Sequence, residues 1–513
     1  MMNAGRFAIR SDFPQEMSVV PALVAMSAAI FFALVWLLVS GNGFDGYPYA
    51  FLLPWIGGLA VVLSLPSFIL YKKGRFSFAD PIIFATWSYF FPAFVIGGTV
   101  FALGWSEPYF LSFVQDADYN FPLTIVLVGL GFSGLAVGYF LPLGERLGGM
   151  IGDRLPSRNL PLRVYVAPGV LILILGVINT SIAFAFGLFG FQKRAEFTQY
   201  DGLIYTTTLF WMQGGFLLWY LLFRTKKPRL GWLPVVALLV SSSLGTMIFA
   251  GNRGSVIQIF TIIALAYILS GRDFKIKQAT VTGLLFCAFL TVTMIYGSTF
   301  RAVKGTESEQ SVSLYTENVI SAFEEIQNAS VGRSLEYGFS RLAERIDILT
   351  TLAVVVSNYE ALKPYEAAYG LEDNIWVDIT TFAIPRVFWN EKPTASDPRK
   401  YSELYFNYGE SSFAMTPVGD LLRNFGIIGV PIGMLALGMI LRVIYRALVE
   451  KQTRIVWRVT LYFMLLTCVS YEGFFGTIVP HLVKVFFIAS IGILIIKVLG
   501  RLLMRLMPNF QWE

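Results

Sequence analysis

Twelve long apolar runs constrain the fold of this chain more than any other feature of its sequence. Each lasts 17 to 26 residues, and they begin near residues 18, 48, 81, 121, 164, 203, 231, 254, 280, 424, 456 and 477. A helix rises about 1.5 Å per residue and the hydrocarbon core of a bilayer is about 30 Å thick, so about 20 apolar residues cross it. The runs therefore predict an all-α, polytopic membrane bundle of about 12 transmembrane helices.

Composition supports this prediction and excludes several function classes. Hydrophobic residues make up 56% of the chain and charged residues 14%, whereas soluble domains carry roughly 25% charged residues. Cys287 and Cys468 both fall inside apolar runs, which excludes a disulfide framework and a cysteine-based metal site. The net charge of +6 comes mostly from basic residues in short loops beside the runs. Membrane topology explains those residues, so nucleic acid is not an expected partner.

The distribution of lysine and arginine predicts the orientation of the bundle. Basic residues fill alternate loops and both tails, whereas the opposite short loops, 41–47 and 105–120, are acidic or nearly neutral. Since cytoplasmic loops are the basic ones, both termini are predicted to be cytoplasmic. The run at 18–40 is longer than a secretory signal core and is predicted to be a retained signal anchor.

One segment is far longer than a connecting loop needs to be. The predicted division is residues 1–300 with spans one to nine, residues 301–423 as a large extracytoplasmic loop between spans nine and ten, and residues 424–513 with spans ten to twelve. Within the loop, Tyr315–Gln327 has helical spacing and an acidic face. Apolar residues from Leu335 to Val356 recur at steps of three and four, which predicts an amphipathic helix over Arg333–Asn358 that lies on the membrane or dips into it.

Outward-facing arginines break the orientation rule and are therefore candidate binding residues. A guanidinium forms bidentate bonds to phosphate oxygens and stays protonated when it is partly desolvated. The outward arginines are Arg194, Arg253, Arg301, Arg333, Arg341, Arg345, Arg386, Arg399 and Arg423.

Each of these arginines also has a structural interpretation, which the sequence leaves open. Arg253 lies in the turn Gly251–Ser255 and could be a snorkelling interfacial residue. Arg341 and Arg345 share a helix face that could simply be solvated. Arg386 belongs to the proline-bounded block 384–393, whose prolines and aromatic residues predict a rigid loop. Arg423 follows Asp420 just before a span, where ordinary helix-entry chemistry would place both.

Three stretches carry a resemblance to a known family. They are the Gly-Asn-Arg-Gly-Ser turn at 251–255, the Ile-Pro-Arg block with Trp389 and Lys392-Pro393, and Thr416-Pro417 through Gly419-Asp420, Asn424-Phe425-Gly426 and Gly429. In this order around one large external loop, they resemble the Wzy-type O-antigen polymerases, also called oligosaccharide repeat-unit polymerases. The resemblance covers roughly residues 230 to 450 of the chain.

The resemblance implies a GT-C-like fold and a glycosyltransferase in the bacterial cytoplasmic (inner) membrane that acts on its outer face in O-antigen (lipopolysaccharide) or exopolysaccharide synthesis. Its substrates would be polyprenyl-diphosphate-linked glycans, and it would use no nucleotide sugar, cofactor or metal. Membrane lipids, a chain-length regulator and a flippase are the further candidate partners.

Such a reaction needs cations for the departing diphosphate and a base for the acceptor hydroxyl. The candidate diphosphate ligands are Arg253, Arg333, Arg341, Arg345, Arg386 and Arg423. Asp420 is the first candidate base because it matches an acidic position of the family, and His481 and Glu472 are its rivals.

Other functions stay open from the sequence. Asp116-Ala117-Asp118 has the spacing of a metal-binding acidic pair, although two exposed carboxylates alone are a weak signal. An O-antigen ligase would use the same chemistry on a different lipid acceptor. A polysaccharide transporter or flippase would show internal repeats and several intramembrane charges, whereas Lys484 is the main cation within a span here. A structural membrane scaffold is the remaining alternative.

Overall fold

The computed structural model of the protein describes residues 47–157, 160–188, 200–225, 230–250, 253–272, 276–304, 312–328, 340, 342–384, 388–389, 391–393, 396–409, 412–450 and 455–506. Within these ranges every regular element is helical. The helices of the first 304 residues are α1 (Leu53–Lys72), α2 (Pro81–Ala102), α3 (Ala117–Phe140), α4 (Pro142–Arg154), α5 (Val166–Ala185), α6 (Asp201–Thr207), α7 (Leu209–Arg224), α8 (Leu233–Ala250), α9 (Arg253–Leu269) and α10 (Ile276–Lys304).

Seven further helices follow α10. They are α11 (Val312–Asn328), α12 (Ile348–Tyr369), α13 (Asn374–Thr381), α14 (Pro398–Phe406), α15 (Pro417–Leu448), α16 (Val456–Thr467) and α17 (Phe475–Leu506). The predicted division at residues 300 and 423 therefore falls within α10 and α15, so the domain boundaries stay a prediction. Helix α11 confirms the helix predicted over Tyr315–Gln327.

Eight helices in the described ranges are long and apolar enough to cross a bilayer. Two shorter apolar helices, Gly254–Leu269 and Val456–Thr467, coincide with the predicted runs near residues 254 and 456. Helices α6 and α7 together cover the run near residue 203, and the run at 18–40 lies outside the described residues. The chain is thus a helical membrane protein, while the count of twelve spans, the GT-C-like fold, the membrane's identity and the orientation of the termini stay predictions.

Glycines let α3 approach α15 closely. A Cβ at Gly134 or Gly138 of α3 would collide with the carbonyl oxygen of Pro431 or Leu435. Gly438 of α15 faces the backbone of α3 in the same way. Small residues spaced by four allow helices in a membrane to pack backbone against backbone, and this packing fixes the position of α15.

The start of α12 and the residues just before it pack inside the bundle. The carboxylate of Asp347 accepts hydrogen bonds from the backbone nitrogen of Thr350 at 3.0 Å and from Ser106 at 3.0 Å, and it begins a new helix. The backbone of Ile346 lies against Gly97 of α2, and residues 348–356 are all buried.

The predicted continuous helix Arg333–Asn358 is therefore wrong in its described part. The helix breaks at Asp347 and the following one extends to Tyr369. An aspartate that caps the following turn favours a new helix start over continuation. The burial of residues 348–356 shows that this helix packs within the bundle, while its placement relative to the membrane stays a prediction.

A cluster of ion pairs lies beside the carboxyl-terminal end of α15. Glu450 forms ion pairs with Arg442 and Arg446, each at 3.2 Å, and with Arg75. Arg442 also pairs with Glu145 at 3.2 Å. The sequence assigned these arginines to membrane topology alone, whereas here they also join α15 to its neighbours.

Arg458 forms hydrogen bonds to the carboxyl-terminal ends of α4 and α15. Its guanidinium donates to the carbonyl oxygens of Leu155 at 2.6 Å, Gly152 at 3.1 Å and Ala447 at 3.2 Å. A buried cation at helix carboxyl ends is favoured by the dipole and by the free carbonyl groups there. The part of α15 after Gly426, 22 residues long, rises about 33 Å, which is enough to cross a hydrocarbon core about 30 Å thick.

Candidate functional site

The first two turns of α15 lie between two unusual backbone positions. Thr416, which precedes the helix, has φ 61° and ψ 147°, and Gly426 has φ 69° and ψ −169° inside the helix. The Gly426 conformation is one that essentially only glycine adopts, and a β-branched residue at positive φ is strained. The stretch 417–425 is thus a separate short helix, and it carries Asp420, Arg423 and Asn424.

Strain at Thr416 persists because neighbouring groups hold the chain there. The backbone nitrogens of Met415 and Thr416 donate to the carbonyl oxygen of Glu472 at 3.1 and 3.4 Å. The Thr416 hydroxyl accepts from the nitrogen of Gly419 at 3.1 Å and caps the helix. Strained positions held in this way concentrate at functional sites, which makes this short helix a candidate site.

Arg423 is fully buried between carboxylates and an amide. Its Nη1 donates to Oε1 of Glu366 at 2.8 Å, and its Nη2 donates to Oδ1 of Asn374 at 2.8 Å and to Oδ1 of Asp420 at 3.3 Å. Both carboxylates are also buried, with side-chain exposures of 6% for Glu366 and 0% for Asp420. Such a pair is stable only when the remaining polar atoms also have partners.

Asp420 has several such partners. Its Oδ1 accepts from Asn374 at 3.0 Å and from Asn424 at 3.3 Å, and its Oδ2 accepts from the backbone nitrogen of Gly476 at 3.1 Å. Gly476 is the second residue of α17, so the carboxylate lies at the positive end of that helix. Asp420 therefore joins α13, α15 and α17 at one point.

Asn374 is the central hydrogen-bonding residue of the cluster. Its amide nitrogen donates to Asp420 and to Ser396 at 2.9 Å, while its carbonyl oxygen accepts from Arg423 and from Asn424 at 2.9 Å. It is fully buried at the start of α13. A single side chain at the start of α13 thus connects the polar residues of the short helix 417–425.

The carboxylate of Glu366 accepts hydrogen bonds from residues on both α14 and α15. Its Oε1 accepts from the hydroxyl of Tyr405 at 2.9 Å as well as from Arg423. The guanidinium carbon of Arg423 lies 6.0 Å from the centre of the Tyr405 ring, within the range of a cation–π contact. Burial raises the pKa of Glu366, although the charge of Arg423 opposes this shift.

Asp378 differs from the other two carboxylates because it is only half-buried. It accepts a short hydrogen bond from Ser396, which in turn binds Asn374. Burial raises the pKa of Asp378 to about 6, and the negative charge of Asp420 adds to the shift, while Ser396 and the positive charge of Lys392 oppose it. Asp378 is therefore an accessible carboxylate that is mostly ionised at neutral pH and can accept a proton.

Three buried polar atoms of the cluster have no hydrogen-bond partner among the residues that the structure describes. They are Nε of Arg423, Oδ1 of Asn424 and the hydroxyl of Tyr401. Buried polar groups are nearly always paired, and exceptions concentrate where function or ordered water requires them. Because these atoms are inaccessible to solvent, a buried water is the partner they would be expected to have.

Arg345 is connected to the segment before α15 through Glu472. Its Nη2 is 3.6 Å from Oε2 of Glu472, with side-chain exposures of 45% and 51%. The pair is therefore exposed, unlike Arg423 and its partners. Because the carbonyl oxygen of Glu472 holds Met415 and Thr416, Arg345 and the Asp420 cluster are connected through one residue.

The predicted site residues are thus brought together only in part. Asp420 and Arg423 are in direct contact, Arg345 pairs with Glu472 beside the start of α15, and His481 is exposed on α17, five residues after Gly476. Arg253 begins α9, but its side chain is outside the described part of the chain, as are Arg333, Arg341 and Arg386 entirely. Their predicted roles, and those of Asp420, Arg423, Arg345 and His481, stay predictions.

We compared the chain with known protein families, curated proteins and solved structures. No family model, no curated protein and no solved structure matches the chain. The functional interpretation therefore rests on the residues and their arrangement.

Sequence reasoning missed five residues of the cluster, which are Glu366, Asn374, Asp378, Ser396 and Tyr405. One weak signal was present for Glu366. It lies eleven residues after the buried Val355 and so on the same face of α12, where an unpaired carboxylate would not be expected. The other four lie in the short helices α13 and α14 and in the loop before α14, where nothing in the sequence distinguishes them from solvated residues.

Proposed function

We propose that this chain is a membrane glycosyltransferase that polymerises polyprenyl-diphosphate-linked oligosaccharide repeat units on the outer face of the cytoplasmic membrane. One observation carries the proposal. The stretch 416–429, which resembles the repeat-unit polymerases, contains the short helix 417–425, whose Asp420, Arg423 and Asn424 join a buried polar cluster. A scaffold would not need this arrangement, because buried charges are costly and stabilise a fold poorly.

The transfer needs one new bond and one proton acceptor. The acceptor hydroxyl oxygen bonds to the anomeric carbon of the growing chain, while the bond from that carbon to the diphosphate oxygen breaks and its electron pair leaves with the polyprenyl diphosphate. The hydroxyl proton passes to a carboxylate. Among the described carboxylates of the cluster, we assign this role to Asp378, because it is half-buried and burial raises its pKa to about 6.

In this scheme Asp420 and Arg423 position other groups. Asp420 already accepts hydrogen bonds from four residues, and the Nη atoms of Arg423 are engaged by Glu366, Asn374 and Asp420. A guanidinium neutralised by buried carboxylates is a weak ligand for a diphosphate. The exposed Arg345 and the predicted outward arginines Arg253, Arg333, Arg341 and Arg386 are then the proposed cations for the leaving group.

Deletion in the native host followed by glycan profiling tests this function. Single repeat units accumulating on the lipid carrier support a polymerase. Long polymer that is unattached to its final acceptor would instead indicate a ligase, and repeat units trapped inside the cell would indicate a flippase. Complementation with Asp378→Asn should leave single repeats, whereas the exposed neighbour variant Glu372→Gln should restore the polymer.

A further inference from the structure

A directed series of hydrogen bonds leads from the buried cluster to Asp378. Arg423 donates from Nη2 to Oδ1 of Asn374 at 2.8 Å, and Nδ2 of Asn374 donates to the hydroxyl oxygen of Ser396 at 2.9 Å. The Ser396 hydroxyl then donates to Oδ2 of Asp378. The series therefore runs from a cation on α15 through the loop before α14 to the proposed base on α13.

The direction of each bond follows from the groups that meet. A guanidinium can only donate, so the amide of Asn374 must present its carbonyl oxygen to Arg423. Nδ2 of Asn424 donates to the same oxygen at 2.9 Å and fixes the amide further. The other side of the amide is its NH₂ group, which can only donate. The hydroxyl oxygen of Ser396 therefore accepts there, and its single proton is directed to Asp378.

This arrangement gives the two carboxylate oxygens of Asp378 different environments. Oδ2 accepts from Ser396, whereas Oδ1 accepts no hydrogen bond from the residues that the structure describes. A donated hydrogen bond stabilises a carboxylate relative to its protonated form. Ser396 therefore favours the ionised form of Asp378 and holds one of its oxygens, while the other stays available for a proton.

The remaining groups around Asp378 do not replace Ser396. Burial raises the pKa of Asp378 most strongly and Asp420 of α15 raises it as well, while Ser396 and, more weakly, Lys392 of the loop before α14 lower it. Helix α17 approaches through the backbone of Gly476, where a Cβ would lie 3.0 Å from Oδ2 of Asp378. Without the Ser396 hydroxyl, Lys392 alone among these groups would oppose the effect of burial.

We propose that Ser396 is a positioning residue through which the buried cluster keeps Asp378 ionised and leaves its Oδ1 to take the proton of the acceptor hydroxyl. The inference rests on the proposed function for the role of Asp378 as the base. It also links the buried charges to the reaction. Arg423 fixes the amide of Asn374, this amide fixes the hydroxyl of Ser396, and the hydroxyl acts on the base.

The pH dependence of carbodiimide labelling tests this role without requiring polymer formation. A carbodiimide activates the protonated carboxyl group, glycinamide then marks Asp378, and mass spectrometry measures the mark in the full chain in nanodiscs. Ser396→Ala should move the labelling midpoint upward by about one pH unit, as for losing one hydrogen bond to a charged group. Ser396→Thr keeps the hydroxyl and should restore the wild-type midpoint. The matched control is Ser412→Ala at an exposed serine, which should not move it.

Asn374→Ala tests the preceding bond of the series. If Asn374 acts through Ser396, its removal should raise the labelling midpoint in the wild-type background and raise it no further in Ser396→Ala. An additive effect in the folded double variant would overturn the proposal. An unchanged midpoint in folded Ser396→Ala would overturn it as well.

Chain elongation separates this role from the proposed function. Ser396→Ala should move the acid limb of the elongation rate upward as it moves labelling, which lowers the rate at pH 6 about fivefold. A structural defect would instead lower the rate equally at all pH values and would overturn the proposal. A raised labelling midpoint in a protein that makes no polymer would preserve the effect of Ser396 on Asp378 and reject the polymerase. Polymer formation with an unchanged midpoint would do the reverse.

Discussion

Removing the Arg423 guanidinium should destabilise the protein severely, because Arg423 is the only cation that contacts Glu366 and Asp420 among the residues described. Arg423→Met keeps most of the side-chain volume but leaves two carboxylates buried and unpaired. Breaking a buried ion pair from one side costs about 3–5 kcal/mol of unfolding free energy. No discount for solvent screening applies, since the side chains of Arg423, Asp420 and Glu366 are 0%, 0% and 6% exposed.

Unfolding of the purified protein by sodium dodecyl sulfate in mixed micelles measures this loss. Arg399→Met is the matched control, because Arg399 is exposed and such changes usually alter stability by less than about 0.5 kcal/mol. Adding Glu366→Gln to Arg423→Met should recover part of the loss by removing one unpaired charge. Stability of Arg423→Met within the range of Arg399→Met, or no recovery in the double variant, would refute the burial of this ion pair.

Three further predictions concern the backbone and the proposed base. Gly426→Ala should cost about 1–3 kcal/mol in the same assay, because its φ and ψ are accessible almost only to glycine. Gly138→Ala should cost about 1–3 kcal/mol through its collision with Leu435, whereas Gly58→Ala, which meets no neighbour within 4 Å, should cost nothing. Chain elongation should fall as the pH drops below about 6, because protonation neutralises Asp378. Asp378→Asn should lower the elongation rate by about 10²–10⁴ at all pH values. If the rate of Asp378→Asn still fell below pH 6 as in the wild type, Asp378 would be excluded as the base.

The helices were largely predictable because hydrophobic length is a local property. Eight of the predicted runs are helices long enough to span a bilayer, and α11 matches its prediction closely. The break at Asp347 was not predicted, because the apolar spacing continues across it, although the capping hydrogen bond from the backbone nitrogen of Thr350 is local. Periodicity therefore identifies a helix but not where a capping side chain interrupts it.

The candidate site was predictable only at its local motif. Asp420, Arg423 and Gly426 stood out because an acid, a cation and a glycine precede a span. Their partners did not, since Glu366 and Asn374 lie 57 and 49 residues before Arg423. Sequence thus indicated an outward arginine, and only the fold shows that carboxylates surround its guanidinium.

The most direct test of the proposed function is the reaction of the purified chain in liposomes with a lipid-linked repeat unit and no nucleotide sugar. The proposal predicts a ladder of products that differ by one repeat unit, with one polyprenyl diphosphate released per step, and no ladder from folded Asp378→Asn. A folded wild-type protein that releases no polyprenyl diphosphate and forms no ladder would contradict it.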